Sequence, residues 1–144
     1  MKFSHALLLA SYLAFLACGD DDDSPTSASG KYDCSVTGGI KIVSPAGGET
    51  FKVGQEITVV FGTDIEDASF RITFKNGEDD VAQDLTKTSV VAKTDGNTCN
   101  EYKVKLDAKK ADNVKPTTEG YIRIIPYVKT NKGQNSKPFT VKKQ

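Results

Sequence analysis

The sequence predicts an all-β fold, an antiparallel sandwich of about seven or eight strands. Three observations predict it. Apolar residues past Gly39 recur with period two in short runs. Gly, Pro, Asn and Asp separate those runs, and no 3.6-residue pattern persists in that region. Period-two alternation gives a strand one buried and one wet face, and several such strands at short spacing read as two packed sheets.

The elements follow in order. Ile40-Lys41-Ile42 opens the series. Thr50 to Val53 follows Gly47-Gly48 and stops at Gly54. Glu56 to Phe61 puts Ile57, Val59 and Phe61 on one face. Phe70, Ile72 and Phe74 alternate with Arg71, Thr73 and Lys75. That run ends at Asn76-Gly77, a pair that tolerates the positive φ of a type I′ hairpin turn. Asp80 to Leu85 and Ser89 to Lys93 carry less alternation. Tyr102, Val104 and Leu106 alternate with Lys103, Lys105 and Asp107, and Phe139 and Val141 close the chain. In Tyr121 to Val128 the alternation runs through Ile122 and Ile124 and meets Pro126. Proline cannot donate to a ladder, so this strand is expected at an edge or a bulge. The one helical candidate, Ala108 to Val114, is too short and polar to exceed a turn.

Ser44-Pro45-Ala46-Gly47-Gly48-Glu49-Thr50-Phe51, with Val53-Gly54 and Ile57 to Phe61 after it, resembles the SPxGGExxxxG…ITW opening of a family of immunoglobulin-like domains. That family occurs in bacterial surface proteins and in fungal cell-wall glycoproteins, those of cell-wall synthesis and the Ser/Thr-rich anchored ones among them. Gly120 to Ile124 resembles its penultimate strand and Ser136 to Val141 its closing strand. The resemblance implies an Ig-like sandwich over residues 34–144 and a structural or adhesive role. Phe61 stands where the family has Trp, which implies a smaller aromatic plug in the core.

The N-terminus carries a separate signal. Lys2 precedes an apolar run from Ala6 to Ala17, interrupted by Ser11 and Tyr12. That length suits a signal-peptide core and falls short of the about 20 residues a membrane span needs. Ala17-Cys18 after Phe15-Leu16 resembles the lipobox of bacterial lipoproteins, although the lipobox usually has Leu and a small residue at those two earlier positions. The resemblance implies removal of residues 1–17, a diacylglycerol on Cys18 and a lipid anchor to a membrane. No A-x-A-like site offers the alternative cleavage, since Ala14 and Ala17 are one residue too far apart. Asp20 to Asp23 and then Ser24 to Gly30 follow, and residues 18–33 are expected to be a disordered tether. Acids just after the lipidated cysteine resemble a surface-export signal of Bacteroidota-like lipoproteins. This implies display on the outer face of the outer membrane; a merely soluble spacer is the alternative. The four-Asp string lacks the Gly turn and distal Glu of a calcium loop.

Removal of the signal leaves about 127 of the 144 residues, enough for one domain with its own core. Residues 40–100 carry ten acids and six bases, and residues 101–144 carry four acids and eleven bases. The basic half suits an anionic surface such as lipopolysaccharide or an acidic glycan, or its lysines simply solvate outward strand positions. An exported protein does not normally meet nucleic acid. With Cys18 assigned to lipid, Cys34 and Cys99 form an even pair in an oxidising compartment. A disulfide would tie the start of the domain to the loop before Tyr102, stabilising it by roughly 3–4 kcal/mol. Two free thiols too far apart to meet are the alternative.

The chain's one histidine, His5, lies in the signal segment. The mature chain then has no imidazole for acid–base or triad chemistry, and no cofactor or metal motif is present. Asp64, Glu66, Asp67, Glu78, Asp79 and Asp80 sit in polar turn-like stretches and are expected to be solvated, so no enzyme is expected. If Ile122 and Ile124 point inward, then Tyr121, Arg123, Ile125 and Tyr127 share the outer face as an apolar, hydrogen-bonding strip. Sugar rings stack on exposed aromatics. The reading is a membrane-anchored, non-catalytic surface module for adhesion or glycan binding. The alternative is an assembly subunit that contacts another envelope protein through the Pro126 edge and the basic half.

Overall fold

The computed structural model describes residues 30–107 and 114–144. The signal peptide, Cys18, residues 18–29 of the tether and most of the helical candidate lie outside them.

Nine strands form in the order β1 (Ile40–Ser44), β2 (Thr50–Lys52), β3 (Glu56–Thr63), β4 (Phe70–Lys75), β5 (Gln83–Asp84), β6 (Asn100–Lys105), β7 (Thr117–Pro126), β8 (Gln134–Asn135) and β9 (Phe139–Lys142). One sheet has the order β1-β3-β6. The other has the order β2-β9-β7-β4-β5, with β8 also paired to β7. All pairings are antiparallel except β2 with β9. The arrangement is an Ig-like β-sandwich. Counted along the chain, β3 and β6 hold the places of the second and fifth strands of an immunoglobulin sheet, and β4, β7 and β9 the facing triplet. Beside β6, where constant-type domains place a further strand, residues 86–99 run irregularly with one bridge, Phe70 to Val90.

The Ser-Pro-x-Gly-Gly-Glu motif is the device that moves the chain from one sheet to the other. β1 pairs with β3, and β2 pairs with β9 in the opposite sheet. Between them the Ser44–Pro45 peptide is cis, and Gly47 and Gly48 have φ of 104° and 82°. Those values suit glycine alone, and a Cβ on Gly47 would sit 2.6 Å from Cβ of Lys137. The Glu49 carboxylate accepts hydrogen bonds from the N–H of Ala46 (2.6 Å) and Gly47 (2.8 Å). Gly48 N–H then donates to Pro138 O (2.9 Å) and Thr140 N–H to Glu49 O (2.8 Å). The opening motif and the closing Ser-x-Pro-Phe-Thr segment are thus two halves of one joint.

The alternating residues bury as expected. Ile57, Val59, Phe61, Val104 and Leu106 from one sheet meet Phe70, Ile72, Phe74, Ile122, Ile124, Phe139 and Val141 from the other. Phe61 fills its place with help. Its ring lies 6.0 Å from Phe70 and 6.4 Å from Tyr102.

Val60, on the opposite face of β3, is also fully buried. The Cys34–Cys99 disulfide lies there, Cα–Cα 5.3 Å apart, with Tyr32 and Val43 packed around it. Gly62 makes room for this strap: a Cβ there would sit 1.9 Å from Cys34 O. Tyr32 belongs to that cluster, and Asp33 pairs with Lys41 at 3.0 Å, so the order of the domain reaches back before Cys34.

Two expectations about turns and edges need correction. β7 lies inside its sheet, between β4 and β9, and its register shift falls between Thr117 and Gly120 instead of at Pro126. Pro126 is tolerated because it is paired with Phe70, whose own N–H and C=O bond to Val90 on the far side. The ladder therefore asks nothing of Pro126 towards β4, and β8 reaches only Ile124 on the other side. Asn76-Gly77 does not form a two-residue hairpin. Gly77 lacks a positive φ, and β4 and β5 are joined by residues 76–82. Asn76 instead pins the approach to β7: its Oδ1 accepts from Lys115 N–H (2.9 Å) and its carbonyl from the Thr117 hydroxyl (2.7 Å).

Candidate functional site

The four residues of the expected strip are placed as follows. Tyr121, Arg123 and Ile125 lie on the outer face of β7 at alternate positions, opposite Lys75, Thr73 and Arg71 of β4. Tyr121 and Arg123 are half-buried. Arg123 is held fast: Nη1 donates to Asn135 Oδ1 at 2.8 Å, and a Cβ on Gly133 would meet the guanidinium at 2.9 Å. Ile125 is only 8% exposed, so it interrupts the strip and offers little to a ligand. Tyr127 lies just past the strand and is 63% exposed. The strip therefore does not form one continuous platform.

Tyr127 instead borders a hollow of about 180 Å³ with Arg71, Asp84, Thr86, Lys87, Thr88 and Ser89. Each wall has a local cause. Arg71 points outward because Phe70 and Ile72 on either side point into the core. Asp84 is set in β5 opposite Thr73, which brings its carboxylate to Arg71. The two form a bidentate pair, Nε–Oδ1 2.8 Å and Nη2–Oδ2 2.9 Å. Asp84 raises the already high pKa of Arg71, so the guanidinium stays charged. Two donors go to Asp84; Nη1 makes no hydrogen bond among the described residues and is available to a ligand. Thr86 folds the next loop back, its hydroxyl donating to Thr88 O at 2.7 Å.

Asp67 positions the tyrosine. Its Oδ2 accepts from the N–H of Val128 (2.9 Å) and Lys129 (3.1 Å), and Tyr127 N–H donates to Ser69 O (2.9 Å). Burial works to raise the Asp67 pKa, but the backbone donors of Lys129, Val128, Ser69 and Ala68 win and lower it. Asp64 is also lowered, chiefly by Gly38 N–H, with Gly39 N–H assisting. These two carboxylates are loop anchors, with acidity shifted away from what a general acid at neutral pH requires.

The arrangement can stack one ring and offer donors and acceptors around it. At about 180 Å³ the hollow is smaller than the roughly 300–1,000 Å³ of pockets that enclose small molecules, so it suits one unit of a chain held at the surface. A second hollow, of about 340 Å³, lies between Gly38, Asp64, Glu66, Lys129 and Lys132. It has no aromatic wall, and both oxygens of Asp64 are occupied by Gly38 and Gly39.

Sequence reasoning found Tyr127 and missed Arg71, Asp84 and the hydroxyl loop. The run Thr86-Lys87-Thr88-Ser89 was the available signal, since hydroxyls and a lysine between two apolar stretches mark an exposed loop. No protein-family model and no curated protein matches the chain. Among solved structures, a fibronectin(III)-like module of Clostridium thermocellum CbhA is similar over 72% of this chain and 93% of that one, at 15% identity and a TM-score of 0.31.

Proposed function

We propose that this protein is a lipid-anchored, non-catalytic lipoprotein of the outer membrane that displays an Ig-like module for binding glycan at the cell surface. The observation that carries the binding reading is the hollow beside Tyr127, where an exposed ring, a charged bidentate pair and a loop of hydroxyls meet. An aromatic face takes the apolar side of a sugar ring, and fixed donors and acceptors take its hydroxyls. The anchoring reading is supported by the lipobox-like Ala17-Cys18 and the acidic run after it. The same acidic run supports surface display. A lipid attachment and a shallow site suit a module that engages long polymers weakly and many times over.

A glycan array probed with the full-length protein in detergent tests the binding reading. The wild type is expected to mark a related group of glycans, and Tyr127→Ala to lose them while Tyr121→Ala retains them. An array without signal, or one that Tyr127→Ala leaves unchanged, counts against the site.

A further inference from the structure

We propose that the open edge of β6 is a docking site for an extended acidic peptide strand from a partner protein. Among the described residues, β6 pairs with β3 on one side only. Leu106 N–H donates to Gln55 O (2.9 Å) and its carbonyl accepts from Gly54 N–H (2.8 Å), so Leu106 faces β3. The antiparallel ladder alternates, which turns the N–H and C=O of Lys103 and Lys105 towards the open side. There they meet no hydrogen-bonding partner among the described residues.

Among the described residues, the start of this edge is closed and the rest is left open. The Asn100 amide donates to Lys93 O (3.0 Å) and its oxygen accepts from Lys93 N–H (2.8 Å). The Tyr102 hydroxyl donates to Val91 O. These bonds hold residues 91–93 against the first half of β6. From Lys103 to Asp107 nothing described pairs with the edge, and a groove of about 630 Å³ runs beside it towards half-buried Leu85.

The groove selects its occupant by charge and by period. Lys87, Lys103 and Lys105 line it with Asp107 and Asp84, and Asp84 is already bound by Arg71. The unpaired balance is positive. A strand added to β6 would send alternate side chains two ways. One set lies beside the outward Lys103 and Lys105, and the other enters the groove towards Leu85 and Val104. An alternating acidic and apolar peptide matches both. A second copy of this chain does not, because pairing two such edges through Lys103 and Lys105 sets lysines opposite lysines.

Fluorescence anisotropy on the full-length protein, with a labelled peptide of about nine residues alternating Asp and Val, tests this. Saturable binding is expected, weakened about fivefold or more by joint Lys103→Glu and Lys105→Glu and unchanged by Tyr127→Ala. The same peptide N-methylated at alternate residues keeps its charge and loses its pairing edge, and is expected to bind about fivefold or more weakly. The proposal is overturned by no saturation up to about 1 mM, by equal binding of the methylated peptide, by indifference to the lysine changes, or by self-association of the protein through β6 in place of peptide capture.

Discussion

At the scale of single residues in the proposed glycan site, Tyr127 would offer a ring face and the Arg71–Asp84 pair its fixed polar groups. Tyr127 supplies a face, being 63% exposed, and little else depends on it. Tyr127→Ala is therefore expected to weaken glycan binding about tenfold or more, near 1.4 kcal/mol, with thermal unfolding unchanged by calorimetry. Phe74 is the contrast. It is fully buried, its ring 6.1 Å from that of Phe139, and Phe74→Ala should lower stability by about 3–5 kcal/mol in urea titration. The disulfide closes 65 residues of separation, and joint Cys34→Ala and Cys99→Ala should reduce stability by roughly 4 kcal/mol in the same titration. At this scale the sequence was legible where chemistry is local. Cysteine parity named the pair, and alternation named Phe61, Phe70 and Phe74 as core. It was not legible where a contact joins distant residues. Asp84 meets Arg71 across thirteen positions through a two-residue strand, and nothing in either residue's neighbourhood announces it.

At the scale of elements, loops are held by carboxylates. Asp95 accepts from the Thr98 hydroxyl and from the N–H of Thr98 and Asn97, which brings its pKa from 3.8 to about 2. Lys41, with Ser35, does the same for Asp33, and backbone donors lower Asp64 and Asp67. A carboxylate lowered in the folded state stabilises the fold at pH above its unfolded value, and that contribution is lost as pH falls through the folded value. Acid unfolding by circular dichroism should thus set in between about pH 4 and pH 2, with no transition from about pH 5 to 8, where no described histidine titrates. Asp67→Ala should free the loop after β7 and weaken glycan binding while the core remains intact, a split that titration and unfolding curves read separately. Long strands with regular alternation were legible in sequence. β5 and β8 were not, because two residues carry no period. Pro126 misled because its cost depends on which side of the strand is paired, and that is a property of the sheet.

At the scale of the molecule, the Ser-Pro-x-Gly-Gly-Glu turn and the Pro138 segment lock the second strand to the last, and the disulfide straps the outer face of β3. The two sites adjoin: the Tyr127 hollow and the groove beside β6 share Asp84, Thr86 and Lys87 as a common wall. Anchoring belongs to this scale too. Mass spectrometry of the mature chain should find a diacylglycerol on an N-terminal Cys18, and protease treatment of intact cells should release the domain. Glycan binding is proposed to turn on the ring of Tyr127. Calorimetric titration of the wild type and of Tyr127→Ala with envelope polysaccharide, at matched folded concentration, tests it most directly. Heat of binding is expected from the wild type and not from Tyr127→Ala; equal heats from both proteins, or none from the wild type, would rule out glycan binding at this site.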